Sequence, residues 1–380
     1  MKKDVITFSI NIISIILVLF LTFNFAPSFT KEITFINEGV ASIFSSQSAS
    51  EKFAEAKDDK TKKNDNTNIT TQEVQQVMRI TGKDSDLYSN IKETPADIAS
   101  LMSEEKKKIK NEKVKGKTSE EAYFGGGNLV SFGKIQVQSK IPDSFYKLNI
   151  EELLNQKAEL TIQDKSKPTI LVYHSHTTES YTLLDVGYYT KSLDLRSDEN
   201  SKNMVRVGDE LVEYLEKQGF NVIHDTNIHD EDYSGAYDSS RKVIEKYLEE
   251  YPSIEITIDV HRDDITYDNK TKVKPTAVID GKKAARMMII AGAEYGSVKN
   301  YPDWEYNLRF DLAIQNKVEE KYAGLMRPIL FAERRYNMYE TKNSFLLEVG
   351  TDANTLDEAC YSARLFATAL GELLDEEYVN

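Results

Sequence analysis

The chain has 380 residues, a formal charge of −14, and 40% hydrophobic and 10% aromatic side chains. That much apolar material can build a core in one large domain with accessory parts, or in two domains, and excludes a chain disordered throughout. The acidic balance excludes a general nucleic-acid binder, which needs a basic surface to displace counterions; Cys360 is the one cysteine, which excludes an intramolecular disulfide framework and a cysteine-rich zinc or iron–sulfur centre.

Met1-Lys2-Lys3-Asp4 is followed by residues 5–26 without a charge, and the next charge is Lys31. A helix of about 20 apolar residues crosses a bilayer, so residues 1–30 are expected to be a cytoplasmic tip and a transmembrane helix. Lys2 and Lys3 favour a cytoplasmic N-terminus, with the rest of the chain outside. A cleaved signal peptide is the alternative. Residues 31–127 are expected to form a polar extracytoplasmic stalk, partly disordered, because runs such as Asp58-Asp59-Lys60-Thr61-Lys62-Lys63-Asn64 offer nothing to bury. Short helices are expected at residues 71–80 and 96–110, and a hinge at Gly125-Gly126-Gly127. The one basic segment, Lys106-Lys107-Lys108-Ile109-Lys110 with Lys113, Lys115 and Lys117, is expected to be a solvated face or linker. The alternative for it is contact with an acidic wall polymer or a membrane surface.

Residues 128–380 are expected to be the folded domain. A strand at 129–138 and a short helix at 150–157 lead into it. The apolar run from Pro168 to Tyr173 has the length of a buried strand and ends directly in His174-Ser175-His176-Thr177-Thr178-Glu179. Met204, Val207, Leu211 and Leu215 share one helical face that stops at Gly219. A strand at 220–223 and a helix at 239–251 follow, then a β-branched strand at 254–260 ending on His261. Strands at 276–279 and 285–291 flank Asp280-Gly281, a hairpin signal. A helix at 304–322 and strands at 328–331 and 345–347 lead to Glu348. Thr355 and Glu358 form a capping box for a last helix whose stripe includes Leu356, Cys360 and Ala363. The alternation predicts an α/β fold with a mostly parallel sheet and helices on both faces.

His174, His176, His261 and Glu348 thus stand at strand ends, which share one edge of such a sheet. Two imidazoles and a carboxylate with one open position suit a catalytic Zn2+. A further carboxylate beside the metal can take a proton from its water and return it to a leaving amine. His224 and His229 are expected to be structural.

Several ordered motifs now carry a resemblance. Tyr173-His174-Ser175-His176-Thr177-Thr178-Glu179-Ser180-Tyr181, Val207-Gly208-Asp209-Glu210-Leu211, Asp259-Val260-His261-Arg262-Asp263 and Leu347-Glu348-Val349-Gly350 resemble the stage II sporulation protein P family, as do Tyr336-Asn337 and Asn354-Thr355-Leu356. The match covers residues 133–374. The resemblance implies a membrane-anchored peptidoglycan hydrolase of endospore formers, lying between the membranes of mother cell and forespore. It implies action in engulfment as amidase and endopeptidase, alongside stage II sporulation proteins D and M.

That family is similar in turn to the zinc-dependent N-acetylmuramoyl-L-alanine amidases, which implies an amidase-like sheet and a set of site residues. His176, Glu199 and His261 would hold the metal, with Asp198 or Glu179 as alternatives to Glu199. Glu348 would be the catalytic acid and base. Arg262 would bind a substrate carboxylate or the oxyanion, or else pair structurally with Asp263. His174 would support its neighbour. A non-catalytic wall-binding scaffold with a structural metal site and a metal-dependent polysaccharide deacetylase are the competing functions.

Overall fold

The computed structural model describes residues 89–121, 128–268 and 270–380. The expected anchor at 1–30, the stalk up to 88 with its helix at 71–80, and the glycine hinge at 125–127 lie outside the described residues. Among the described residues no helix is long and apolar enough to cross a membrane.

In chain order the strands begin β1 (Val114–Glu121), β2 (Asn128–Phe132), β3 (Ile135–Ser139), β4 (Pro168–Tyr173), β5 (Tyr188–Thr190), β6 (Asn221–His224) and β7 (Ile256–Asp263). They continue with β8 (Thr266–Tyr267), β9 (Thr271–Ile279), β10 (Lys282–Ala285), β11 (Met287–Gly292), β12 (Ile329–Ala332) and β13 (Asn343–Thr351). The helices are α1 (Ala96–Lys108), α2 (Ile150–Asn155), α3 (Met204–Glu216), α4 (Ala236–Glu250), α5 (Trp304–Lys321) and α6 (Leu356–Glu377). An eight-stranded sheet runs β2-β3-β12-β11-β13-β7-β4-β6, and a smaller sheet runs β10-β9-β1-β5 with β8 on β9. The large sheet is parallel except at β2/β3 and β11/β13.

Alternation along each strand decides what the large sheet buries. Ile170 and Val172 of β4 enter one core with Met204, Val207 and Leu211 of α3. Leu171 and Tyr173 enter another on the opposite face, with Ile244 of α4. Both faces are therefore covered by helices, and the mixed α/β class follows from a sheet apolar on both sides. The predicted stripe of α3 is buried along its whole length, and the Asn203 side chain caps the helix by accepting from the Val205 amide. The Thr355–Glu358 capping box is formed at the start of α6. Cys360 lies wholly buried on that helix, where burial pushes its thiol far above the ordinary range.

Two differences from expectation have physical causes. β9 and β10 pair across Asp280 and Gly281, both at positive φ (48° and 80°), but the chain leaves this hairpin at Arg286. The apolar residues that follow form β11 in the large sheet, because Met287 and Ile289 fill one core while Met288 and Ile290 fill the other. A strand buried on both faces belongs in a sheet centre, not in a hairpin arm. The second difference concerns residues 89–121, read as stalk. They contribute α1 and β1 to the compact unit Gln76–Asn380. Ile91 and Ile98 are buried, and Arg364 of α6 donates to the Ile91 and Glu93 carbonyls at 2.7 and 3.0 Å. The helix expected at 96–110 is α1, but what fastens this stretch to the domain is distant in sequence, Arg364 above all.

Candidate active site

Register brings the predicted residues together. β7 runs parallel to both β4 and β13, so Tyr173 lies opposite Asp259 and Glu348 lies opposite His261. Asp259 and His261 sit two residues apart on one strand and therefore point to the same face. The chain leaving β4 turns sharply: Thr177 Oγ1 donates to the His174 carbonyl at 2.7 Å, and the Glu179 amide to the His176 carbonyl at 3.1 Å. This turn carries His176 and Glu179 back over the strand end. Tyr181 then ties the loop to β13 by donating to the Val349 carbonyl at 2.8 Å.

His261 is the hub. Its ring lies 5.3 Å from that of His176, centroid to centroid, and nearly perpendicular to it. Its Nδ1 is 3.6 Å from Glu179 Oε2 and its Nε2 is 2.8 Å from Asp259 Oδ1. The Nε2 distance is short, yet the ring N–H is not aligned for a hydrogen bond. Asp259 is held by Ser175, whose amide and hydroxyl donate to its two oxygens at 2.8 and 2.7 Å. Burial alone would lower the His261 pKa, but Asp259 and Glu179 outweigh it and raise it well above its ordinary value. Burial would raise the Glu179 carboxyl, but His261 and Arg262 outweigh that effect and hold it at about 2. His176 goes the other way, lowered by burial and by its neighbour His261.

Glu348 completes the centre. It is partly exposed as a residue, yet its Oε2 is enclosed without a hydrogen-bond partner. Burial, reinforced by Asp263, pushes its carboxyl up to about 8. A carboxylic acid so placed is poised to exchange a proton near neutrality.

Aromatic rings wall the site. Tyr233 stacks on His176 at 4.4 Å between centroids, Tyr237 meets the same ring edge-on at 5.3 Å, and Tyr336 stacks on Tyr237 at 4.8 Å. Tyr336 has φ of 42°, a left-handed conformation that is costly for a bulky side chain. Asn337 next to it donates to Ser240 Oγ and the Tyr237 carbonyl, fastening this loop to α4. Beyond Tyr233 an open hollow of about 660 Å³ is lined by Thr178, Arg196, Asp198, Asp230, Glu231 and Tyr233.

Two expected roles are corrected. Glu199 does not reach the histidines: its side chain is 65% exposed and pairs with Lys202 at 2.7 Å. Glu179 is the carboxylate beside His261, because the turn after His176 brings it there. Asp198 lines the open hollow instead. Arg262 neither pairs with Asp263 nor faces open space. It donates to the Ser180 and Leu195 carbonyls at 3.2 and 3.1 Å and lies 3.5 Å from Glu179. Its guanidinium thus braces Glu179 and the following loop, while Arg327 takes Asp263 at 2.9 Å.

His174 is a fully buried support. Its Nδ1 bonds the Val260 carbonyl at 3.0 Å, and its Nε2 meets His224 Nε2 at 2.9 Å. Gly208 makes room for this pair, since a Cβ there would stand 2.5–2.7 Å from both imidazoles. His229 is held by Asp225 at 2.6 Å, away from the centre. Asp259 was the residue missed. A charged side chain inside an otherwise β-branched strand, two before a candidate histidine, was the signal for it.

Among the described residues no three His, Cys, Asp or Glu side chains form a ready-made metal cage. The donor set nevertheless fits a zinc ion: two neighbouring imidazoles, the ionised Glu179, and buried atoms without hydrogen-bond partners at His176 Nδ1 and Glu348 Oε2. His176, His261 and Glu179 are the residues that would hold it.

The fold and site define a mixed α/β protein with a histidine–carboxylate centre at the carboxyl ends of its strands. The model of the stage II sporulation protein P family matches residues 28–371, and the chain belongs to that family. It is 28% identical over 263 residues to stage II sporulation protein P of Bacillus subtilis (strain 168). The match spans 64% of this chain and 62% of that relative's length. Among solved structures, the N-acetylmuramoyl-L-alanine amidase AmiC2 of Nostoc punctiforme aligns with TM-score 0.32 at 11% identity, over 56% of this chain and 98% of its own. The N-acetylmuramoyl-L-alanine amidase of Clostridium difficile 630 aligns with TM-score 0.33 at 13% identity, over 56% and 99%.

Proposed function

We propose that the chain is a zinc-dependent peptidoglycan hydrolase, an N-acetylmuramoyl-L-alanine amidase that also acts as an endopeptidase. It is anchored by its N-terminal segment, faces the extracytoplasmic space, and works in engulfment with stage II sporulation proteins D and M. The observation that carries this reading is the Glu348–His261 register pair: a carboxyl raised to about 8 beside a histidine bracketed by two carboxylates.

When bound, Zn2+ supplies Lewis acidity and an acidified water. His176, His261 and Glu179 would hold it. Asp259 orients His261, and Arg262 keeps Glu179 ionised and in place. Glu348, in the ionised fraction that a carboxyl raised to about 8 retains at neutral pH, takes a proton from the attacking water as its oxygen joins the amide carbonyl carbon. It returns that proton to the nitrogen as the C–N bond breaks, so hydrolysis is balanced without another acid.

Purified sacculi incubated with the protein should release stem peptides with free amines, and a chelator should stop the release. Full activity in Glu348→Gln overturns the assignment. Acetate release in place of peptide release makes the protein a deacetylase, and retention on the wall without cleavage makes it a scaffold. Glu179→Gln should abolish hydrolysis and Glu199→Gln should spare it.

A further inference from the structure

The basic segment at residues 106–117 is left unused by the catalytic reading. It contains seven lysines and a single carboxylate, Glu112, in a chain of net charge −14. All seven are exposed, running from the end of α1 through the turn after it into the first half of β1. Glu112 is engaged by the Ser192 hydroxyl.

The fold enlarges this run. Lys191 follows β5 and donates its amide to the Lys113 carbonyl, while the Lys117 amide donates to the carbonyl of Lys270 before β9. Both added side chains are exposed. Gly116 permits the second approach, because a Cβ there would stand 2.3 Å from the Lys270 carbonyl oxygen. Like charges from separate strands are thus gathered on one surface, a cost in self-repulsion that a partner relieves. Elsewhere in the same sheet the lysines are neutralised: Lys272 by Asp352, Lys274 by Glu358, Lys283 by Asp185. Two apolar side chains flank the strand's lysines: Val114 at the start of β1, 58% exposed, and Val186 ahead of β5, 39% exposed. The Thr118 amide bonds the Gly187 carbonyl, which places Val186 against the lysine strand.

We propose that this face, from Lys106 to Lys117 with Lys191 and Lys270, docks on an anionic lipid bilayer. Clustered lysines collect at a negative leaflet through many weak attractions, and flanking valines reach the acyl boundary there. A hydrophilic anionic wall polymer offers the valines nothing. Docking would hold the unit on the membrane by α1 and β1, and it does not require the N-terminal segment to span.

The test is lysine acylation read by mass spectrometry on the full chain, with vesicles of phosphatidylcholine alone or with about one-third phosphatidylglycerol. The nine patch lysines should label about five-fold more slowly on the anionic vesicles and recover at high salt, while Lys242 and Lys246 keep their rates. The variant Lys107→Glu/Lys110→Glu/Lys115→Glu should lose that protection at unchanged wall hydrolysis. Equal labelling on both vesicles overturns the proposal. So does protection conferred by a soluble poly(glycerol phosphate) at equal phosphate. Flotation with the neutral vesicles reports the N-terminal anchor separately.

Discussion

The two sheets of this protein handle buried charge in opposite ways. In the small sheet, Lys274 is 1% exposed and lies 2.7 Å from Glu358 and 2.8 Å from Asp185. Lys282 meets Asp357 at 2.9 Å, and Lys272 meets Asp352. Each lysine of β9 and β10 has an opposite charge beside it, and the network joins these strands to the start of α6. At the carboxyl end of the large sheet the ledger is left open. Glu348 has its carboxyl raised to about 8, His176 Nδ1 has no hydrogen-bond partner and stands 3.9 Å from Asp230, and His261 is bracketed by two carboxylates. The matched sheet holds structure together; the unmatched edge retains reactivity. The difference separates scaffold from site without reference to any motif.

Four substitutions probe that division. His261→Ala should reduce wall hydrolysis per folded molecule by about a thousand-fold or more, because it removes a metal-binding imidazole, and stability should fall as well because Asp259 and Glu179 lose the ring between them. Lys274→Met should cost stability alone: it falls by about 3–5 kcal/mol as Glu358 is left buried without its cation, and activity per folded molecule stays the same. Denaturant titration beside a rate assay separates the two.

A third test lies in the core of the large sheet. Asp311 on α5 is fully buried, both its oxygens lack a hydrogen-bond partner among the described residues, and burial raises its carboxyl well above the usual range. Its folded pKa lies above the unfolded one, so the folded state holds a proton that the unfolded state releases. The sign follows: Asp311 weakens the fold progressively as pH rises above about 4. Asp311→Asn should therefore stabilise by about 1–3 kcal/mol at neutral pH, and the gain should vanish in acid. A gain of equal size at every pH would show that titration is not its cause. Last, Glu199→Ala should change stability by no more than about 0.5 kcal/mol, because its pair with Lys202 is exposed.

How much of this was legible in the sequence depended on how local each feature is. His176, His261 and Glu348 were readable because strand length and alternation place strand ends, and parallel order collects those ends on one edge. The identity of the nearby carboxylate was not. Glu199 has the right spacing before a helix, but Glu179 wins through a tight turn closed by Thr177, and spacing carries no record of how a turn curls. The role of Arg262 was not legible for a related reason: its donors are taken by carbonyls of Ser180 and Leu195, far away in sequence. The contribution of residues 89–121 was hidden because β1 pairs only with distant strands, β5 and β9.

Those early residues carry a mechanical consequence. The stretch from Ile91 to Asp97 is buttoned by Arg364 to α6, and Asp97 by Arg206 to α3 at 2.7 Å. A pull on the chain ahead of them is taken up as shear across these arginine contacts. Force on the chain ahead of them would thus be met by hydrogen bonds to α3 and α6, and by those of Lys282 to Lys92 and Thr94, all outside the strand register that sets His261 opposite Glu348.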